Sequence, residues 1–397
     1  MAPLISRNDV AAATFAVVIV LFSIAAFKIA RKEPRNKRTV ALQAVKRYNV
    51  KHPKRPQLYA RRWFEQKTMA AGKCDMGIEA SITFVQFNIL ADGLSGRDVL
   101  TNKGGFTECP VEALDFSYRI DRIIEELVRH GTLPDVVAME EVDHFEEILA
   151  ELKLLGYDGV YQAKPDSPCK RQSGDPNLED GCALFWLADR FNVPDGCFWT
   201  FTYDEVDQNT GEKTGEKSNQ IAILVELKPS SERLPALLVG CTHLKATKKS
   251  AGERKRVVQV QQLLDFVVDK RMKRSGGTSP VVLCMDMNAV PIEQGHEYPS
   301  EALPTALNHT GISLRSAYAT ALGGKEPAWS TWKVRKKSGD TIESKHTIDY
   351  ILHSPELRVK KVLLAPDDEV IGEGRLPDWS YPSDHIALAA EFTLPTE

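Results

Sequence analysis

From about residue 82 onwards, short apolar runs alternate with amphipathic stretches. Eight runs are rich in β-branched and aromatic residues, which is typical of buried strands: 82–90, 136–139, 182–187, 220–227, 237–244, 281–285, 348–352 and 386–392. Apolar residues three and four positions apart predict helices over 120–128 and 257–268, the first ended by Gly131 and Pro134. Segments 166–181 and 204–218 are polar and contain glycine, so loops are predicted there.

This alternation of strands and helices predicts one α/β domain over residues 79–397. No internal repeat is visible in the sequence. A domain of this length is large for a single core, which favours two sheets packed on each other.

The N-terminal region has a different pattern. Residues 10–27 carry no charge and are mostly Ala, Val, Ile and Phe, which predicts a transmembrane signal anchor over 10–30 after a short tail, 1–9. A cleaved signal peptide is the alternative, although its apolar core is usually shorter. Residues 28–62 contain thirteen Lys or Arg and one acid, Glu33. Positive charge beside a first helix tends to stay cytoplasmic, so the catalytic domain is expected to face the cytosol.

Residues 31–78 are therefore predicted to be a basic juxtamembrane linker. Its charge either is simply solvated or attracts anionic lipid head groups. A moderately apolar anchor with basic flanks fits the mitochondrial outer membrane or the endoplasmic reticulum.

Composition adds little to this picture. The hydrophobic fraction is 43%, the charged fraction 26% and the net charge −3, values typical of a globular protein. The seven cysteines include no CxxC pair, so neither a zinc site nor a disulfide framework is indicated. Cys182, Cys241 and Cys284 lie inside apolar runs and are predicted to be buried thiols in a reducing compartment.

Polar residues recur where the predicted strands end or begin. These residues are Asn88, Glu140, Glu141, His243, Asp286, Asn288, Asp349, Asp384 and His385. A single acid is usually a solvated surface group, but strand ends that repeatedly carry such groups would bring them together on one rim of the sheets. Clustered carboxylates repel one another, and a bound divalent cation removes most of that cost. Oxygen ligands without thiolates favour Mg²⁺, with Mn²⁺ as an alternative.

Six short motifs carry a resemblance to a known family. They are Phe87-Asn88-Ile89-Leu90, Glu141-Val142, Thr242-His243-Leu244, Asp286-Met287-Asn288-Ala289, Thr347-Ile348-Asp349-Tyr350 and Ser383-Asp384-His385. In this order the chain resembles the endonuclease/exonuclease/phosphatase superfamily. Within it the chain is similar to the nocturnin-like branch, through residues 109–114, 141–144, 180–185, 242–246, 331–333 and 381–385. The N-terminal region lies outside this resemblance.

The resemblance implies a four-layer α/β sandwich, with two sheets face to face and helices outside, and a hydrolase of phosphate esters. It implies that Glu141 is the principal metal ligand and that Asp384 holds a second ion. Asp286 would orient or deprotonate the attacking water, with Asn288 beside it. Asn88 and His243 would hydrogen-bond phosphoryl oxygens. Asp349 would fix His385, which helps to bind or protonate the phosphate.

The branch also implies a substrate, NADP⁺ or NADPH, whose 2′-phosphate is removed. Lys164, Lys245 and Arg335 match basic positions that would bind its phosphates. The chain departs from the family at Thr247, where Arg is expected, and at Glu140, where Gln is expected and a negative charge is added beside the metal ligand. Met285 and Met287 replace Gly and Phe.

Two other functions compete with the dinucleotide phosphatase. One is a 3′-exoribonuclease that removes poly(A) from mRNA, which would need a basic, aromatic-lined channel. The other is a catalytically inactive membrane adaptor, which the retained acidic and histidine residues disfavour. No protein partner is evident from the sequence.

Overall fold

Two seven-stranded β-sheets form the centre of the computed structural model, which describes residues 36–66, 80–96, 105–106, 108–173, 175–207, 210–232, 234–294, 299–337 and 340–394. In chain order the strands are β1 (Trp63–Glu65), β2 (Ala80–Asn88), β3 (Val136–Val142), β4 (Tyr157–Ala163), β5 (Gly181–Leu187), β6 (Phe191–Asn192), β7 (Phe198–Val206), β8 (Lys213–Pro229), β9 (Leu237–His243), β10 (Val281–Asp286), β11 (Arg315–Ser316), β12 (Thr331–Lys337), β13 (Asp340–His346), β14 (Asp349–His353), β15 (Arg358–Leu363) and β16 (Leu388–Leu394).

The first sheet has the order β1-β15-β16-β2-β3-β5-β4, and the second has β11-β14-β10-β9-β8-β6, with β7 paired to β8. Most neighbours are antiparallel, but β2 and β3 run parallel in the first sheet, as do β9 and β10 in the second. A separate hairpin joins β12 and β13. The parallel pairs matter for function because their carboxyl ends share one edge of each sheet.

The described helices are α1 (Lys37–Lys51), α2 (Val111–Leu114), α3 (Phe116–Val128), α4 (Phe145–Leu155), α5 (Pro168–Ser173), α6 (Lys249–Ser275), α7 (Ala302–Leu307) and α8 (Ala317–Ala321). The Asp115 carboxylate caps α3 by accepting from the Ser117 amide. Gly276, at φ 60°, ends α6 in the left-handed conformation that glycine adopts most easily.

The core lies between the sheets and on their outer faces. Apolar residues of both sheets, among them Phe84, Val239 and Ile351, form one buried cluster. Outside the first sheet, Leu127 of α3 lies beside Val85 of β2. Outside the second, Leu263 and neighbouring residues of α6 form another buried cluster with β8, β9 and β10. The arrangement is a sandwich of two sheets with helices outside.

The predicted membrane anchor needs correction. The predicted span, 10–30, lies outside the described residues, and among the helices that the structure describes none is both long and apolar enough to cross a bilayer. Even α6, with 27 residues, carries Lys and Arg along its length, and charged groups are costly in hydrocarbon. The described residues form the α/β sandwich, and the predicted transmembrane helix and membrane-anchored location in the mitochondrial outer membrane or endoplasmic reticulum are withdrawn.

Two further sequence predictions meet the structure here. Segment 204–218, predicted as a loop, is largely the end of the β7–β8 hairpin, and its polarity reflects the exposure of residues 212–217. Cys182, Cys241 and Cys284 are free and buried, as predicted.

Candidate active site

Strand pairing brings the polar strand ends together. Asn88 of β2 is in register with Glu140 of β3 in the first sheet. In the second sheet Asp286 of β10 is in register with both His243 of β9 and Asp349 of β14. Since the two sheets pack face to face, these ends form one site between them. We call Asn88, Glu141, His243, Asp286, Asp349 and His385 the carboxylate–imidazole cluster.

An irregularity at the end of β3 sends two adjacent glutamates in different directions. The register shifts between Glu140 and Val142, and Glu141 adopts φ 56°. A non-glycine residue in this conformation is uncommon and persists where the surrounding structure requires it. As a result, Glu141 enters the cluster, while Glu140 points into the protein interior.

The setting of Glu140 changes an expectation drawn from the sequence. Its side chain is fully buried and accepts a hydrogen bond from the Gln86 amide at 2.9 Å. Burial raises its pKa well above the ordinary value, and the nearby Cys182 and Asp349 raise it further. Burial in this setting favours the uncharged form of the Glu140 carboxyl group, which opposes the extra negative charge expected beside Glu141.

The Asn88 amide links the two carboxylates that face each other in the cluster. Its Nδ2 donates to Glu141 Oε1 at 3.1 Å and to Asp286 Oδ2 at 2.9 Å. Glu141 Oε2 also accepts from the Ala91 backbone at 3.2 Å. Burial raises the pKa of Asp286, opposed by the adjacent His243. Asn88 thus holds both carboxylates at a fixed separation.

His243 is oriented by Asn288, which adopts φ 50° just after β10. Asn288 Nδ2 donates to His243 Nε2 at 2.8 Å and to the Leu244 carbonyl at 3.1 Å. The accepting role of Nε2 places the ring proton on Nδ1, which is buried without a partner and lies 3.8 Å from Glu141 Oε1. Burial lowers the pKa of His243 to about 4, so the ring is neutral.

Asp349 and His385 form an ion pair within the cluster. His385 Nδ1 donates to Asp349 Oδ2 at 2.9 Å. Burial alone would lower the pKa of His385, but the Asp349 and Asp384 carboxylates outweigh it and raise the pKa to about 9. The other contacts of Asp349 come from Ser330 Oγ at 2.5 Å and the Gln86 amide at 2.9 Å.

The cluster offers oxygen ligand atoms of the kind that a hard cation binds. Ligand atoms of Asp286, Asp349 and His385 lie within 4.8 Å of one another, but both Asp349 oxygens already accept hydrogen bonds from protein groups. Glu141 and Asp286 keep lone pairs that could ligate a metal. Oxygen donors of this kind fit Mg²⁺ or Mn²⁺. Asp384, expected to hold a second ion, is ion-paired with Lys333 in this structure.

The three basic positions differ in their placement. Lys164 is buried and ion-paired with Asp180, near enough to Glu141 for that carboxylate to help raise its pKa, against burial. The Arg335 guanidinium lies 4.3 Å from the centre of the Phe106 ring and helps to lower the pKa of Asp384. No contact among the described residues links the Lys245 ammonium to the cluster.

Three residues at the site escaped sequence reasoning. Gln86 and Ser330 both donate to Asp349, and Lys333 pairs with Asp384. Gln86 has a signal in the sequence, since it stands between the apolar Val85 and Phe87 in the buried part of β2. Lys333 belongs to the Thr331-Trp332-Lys333 stretch that supports the family resemblance.

Comparisons with known proteins agree with this geometry. The sequence profile of the Endonuclease/Exonuclease/phosphatase family matches residues 85–385. Nocturnin of Xenopus laevis is 36% identical over 314 residues, covering 78% of this chain and 72% of the relative. More distantly, the CCR4-Not complex 3′-5′-exoribonuclease subunit Ccr4 of Yarrowia lipolytica is 26% identical, covering 79% and 48%. The human Nocturnin catalytic domain with a bound sulfate anion superposes with a TM-score of 0.59 at 27% identity, covering 84% of this chain and 97% of that one.

Proposed function

The chain belongs to the endonuclease/exonuclease/phosphatase family, and from that premise we propose that it is a Mg²⁺-dependent phosphatase that removes the 2′-phosphate of NADP⁺ and NADPH. The observation that carries the proposal is the Asn88 amide bridging Glu141 and Asp286. It holds two candidate oxygen ligands together, and the unpartnered Nδ1 of His243 lies 3.8 Å from Glu141 Oε1. Such a site can receive a phosphoryl group.

The residues of the cluster divide the chemistry between charge and proton transfer. Mg²⁺ bound at Glu141 would neutralise the phosphate and polarise its phosphorus–oxygen bonds. Asp286, whose pKa is raised by burial, is placed to accept the proton of the attacking water. The Nδ1–H of His243 would donate to a phosphoryl oxygen as its charge grows.

Whereas Asp286 would accept a proton, His385 would supply positive charge or donate a proton. It is cationic at neutral pH because Asp349 and Asp384 raise its pKa, so it can bind the phosphate or protonate the leaving ribose oxygen. Asp349 keeps the ring in place by accepting from Nδ1, which leaves Nε2 for the substrate.

Two observations support a dinucleotide substrate: the similarity of the chain to nocturnin and the basic residues near the cluster. The nocturnin-like motifs imply NADP(H), and human Nocturnin binds a sulfate anion, which resembles phosphate in shape and charge. Lys164 and Arg335 lie beside the cluster, where they would meet the ribose phosphate and the pyrophosphate. Lys245 is the third expected contact.

A second candidate is removal of poly(A) from the 3′ end of RNA. It is favoured by the similarity to the exoribonuclease subunit Ccr4 and by Thr247, which replaces the arginine expected for the phosphatase. Thr247 cannot form the bidentate phosphate contact of arginine. In this structure its carbonyl oxygen accepts instead from Arg256 at 2.8 Å.

In the deciding experiment the full chain is incubated with Mg²⁺ in two parallel reactions, one containing NADPH and the other a 3′-polyadenylated RNA. We expect phosphate and NADH to appear while the RNA stays intact. Shortened RNA with untouched NADPH would establish the exoribonuclease instead. Glu141→Gln and Asp286→Asn are expected to abolish hydrolysis without loss of fold, and wild-type turnover in either variant would refute the assignment of the site.

A further inference from the structure

A second site lies away from the carboxylate–imidazole cluster, where the segment after α1 crosses α3. It is an open groove of about 770 Å³ lined by residues 51–56, Ser117, Tyr118 and Trp379. None of these residues belongs to the cluster. The groove exists only because residues 51–56 pack against the catalytic domain.

One wall of the groove is aromatic. Trp379 keeps 37% of its surface exposed, and its ring meets Tyr118 edge to face, with centroids 5.0 Å apart. The Tyr118 hydroxyl donates to the Trp379 carbonyl at 2.6 Å, and Arg122 donates to the same oxygen at 2.9 Å. The backbone of Trp379 is therefore held while its indole remains available for stacking.

The opposite wall is basic. Lys51, Lys54 and Arg55 line the groove together with His52, and no acidic side chain among the described residues lines it. Asp121 lies beneath this wall, 3% exposed, and accepts from Lys51, His52 and Arg55. One carboxylate cannot neutralise three fixed positive charges, so the groove keeps a positive potential.

Arg55 adds a directional donor. Its Nη2 bonds Asp121 at 3.2 Å and its guanidinium lies 4.5 Å from the centre of the Tyr118 ring. Its Nη1 is buried without a hydrogen-bond partner, and an unpaired buried donor costs free energy that a bound acceptor would recover.

From these contacts we propose that the groove binds a nucleotide unit, with the base against Trp379 and the phosphate among Lys51, Lys54 and Arg55. A ligand for this surface must combine a negative charge with a flat apolar ring, and nucleotides do so. Base stacking on an aromatic side chain contributes about 1–3 kcal/mol. The unit can come from a free nucleotide or from a single-stranded polynucleotide.

The test measures binding to the full chain in EDTA, which keeps hydrolysis out of the readout and makes the result independent of the proposed function. The probes are adenosine 5′-monophosphate, followed by calorimetry, and a fluorescent oligoadenylate, followed by anisotropy. The groove variant is Lys54→Glu/Trp379→Ala. Its matched control is Lys153→Glu/Phe64→Ala, which changes an exposed lysine and an exposed aromatic residue elsewhere.

We expect the groove variant to bind at least about tenfold more weakly than the control. Loss for both probes supports recognition of a single nucleotide, and loss for the oligoadenylate alone supports a polynucleotide. Binding equal to that of the control variant would overturn the proposal. Lys54→Glu alone, a change at an exposed side chain, keeps the test decisive should the double variant fold poorly.

Discussion

At the scale of single residues, Gln86 joins two carboxyl groups that are far apart in sequence. Its amide nitrogen donates to Glu140 and to Asp349, both at 2.9 Å. Asp349 in turn orients His385. Gln86 thus acts on the reacting groups through Asp349, as a positioning residue.

We predict that Gln86→Leu lowers kcat by about ten- to a hundredfold with little change in KM, because the ring of His385 loses its fixed orientation. Steady-state kinetics with the preferred substrate checks this. Gln262→Leu is the control, since Gln262 exchanges its hydrogen bonds with the Asp204 backbone, away from the cluster. Equal losses in the two variants would mean a general structural effect.

The Asp349–His385 pair also predicts a pH dependence of stability. The pKa of His385 is raised from 6.5 to about 9 in the folded protein, so its contribution is complete below pH 6.5 and is lost as pH rises through 9. We expect the Tm of the metal-free protein to fall over this window, and to fall less in His385→Gln. His243, whose pKa is lowered to about 4, does not titrate in this window. Parallel Tm curves for the two proteins would contradict the prediction.

At the scale of elements, residues 37–66 are the clearest surprise. The sequence presents them as a basic linker, yet α1 packs Ala41, Ala44 and Tyr48 into the core and β1 extends the first sheet by pairing with β15. The basic residues largely face acids of the domain: Lys37 pairs with Asp135, and Arg47 with Glu151. Their charge therefore holds the segment in place.

Arg61 is the most deeply placed of these cations. It pairs with Glu126 at 2.7 Å, with the two side chains 0% and 1% exposed, and also donates to the Leu364 carbonyl. We predict that Arg61→Met lowers the free energy of unfolding by about 3–5 kcal/mol, because Glu126 loses a buried partner. Denaturant unfolding measures it.

The neighbouring Arg62 supplies the control. It is 76% exposed and lies 4.0 Å from Asp367, so Arg62→Met should change stability by less than about 0.5 kcal/mol. A small effect at Arg61 as well would mean that the segment contributes little to folding. Fragments that start beyond residue 66 lack this segment and are expected to be less stable than the full chain.

At the scale of the whole molecule, the two sheets hold Glu141 and Asp286 close together, at a cost in repulsion that a cation relieves. We predict that Mg²⁺ raises the Tm in proportion to the logarithm of its concentration above the dissociation constant. Glu141→Gln should lose most of this shift. A full shift in Glu141→Gln, measured by calorimetry with and without Mg²⁺, would place the cation elsewhere.

Particular strands and helices show how much of the fold can be predicted from the sequence. The eight predicted strands all occur. Each is a buried run of apolar and β-branched residues, and such a run can be recognised from a short stretch of sequence. The sequence does not predict the other eight strands; among them β4 and β13 are half-buried or exposed and carry mixed residues. The apolar run at 10–30 predicts a membrane helix, but it lies outside the described residues, and none of the described helices is long and apolar enough to cross a bilayer.

By itself the sequence determined the family, the strands and the polar residues at their ends, because motifs and apolar runs are local properties of the chain. Only the tertiary structure decided which neighbours those residues have. It turned Glu140 into the interior and Glu141 into the site, paired Asp384 with Lys333, and folded the basic segment onto the domain. Charge and protonation depend on burial and on partners distant in sequence, and the chain acquires both only when its two sheets pack together.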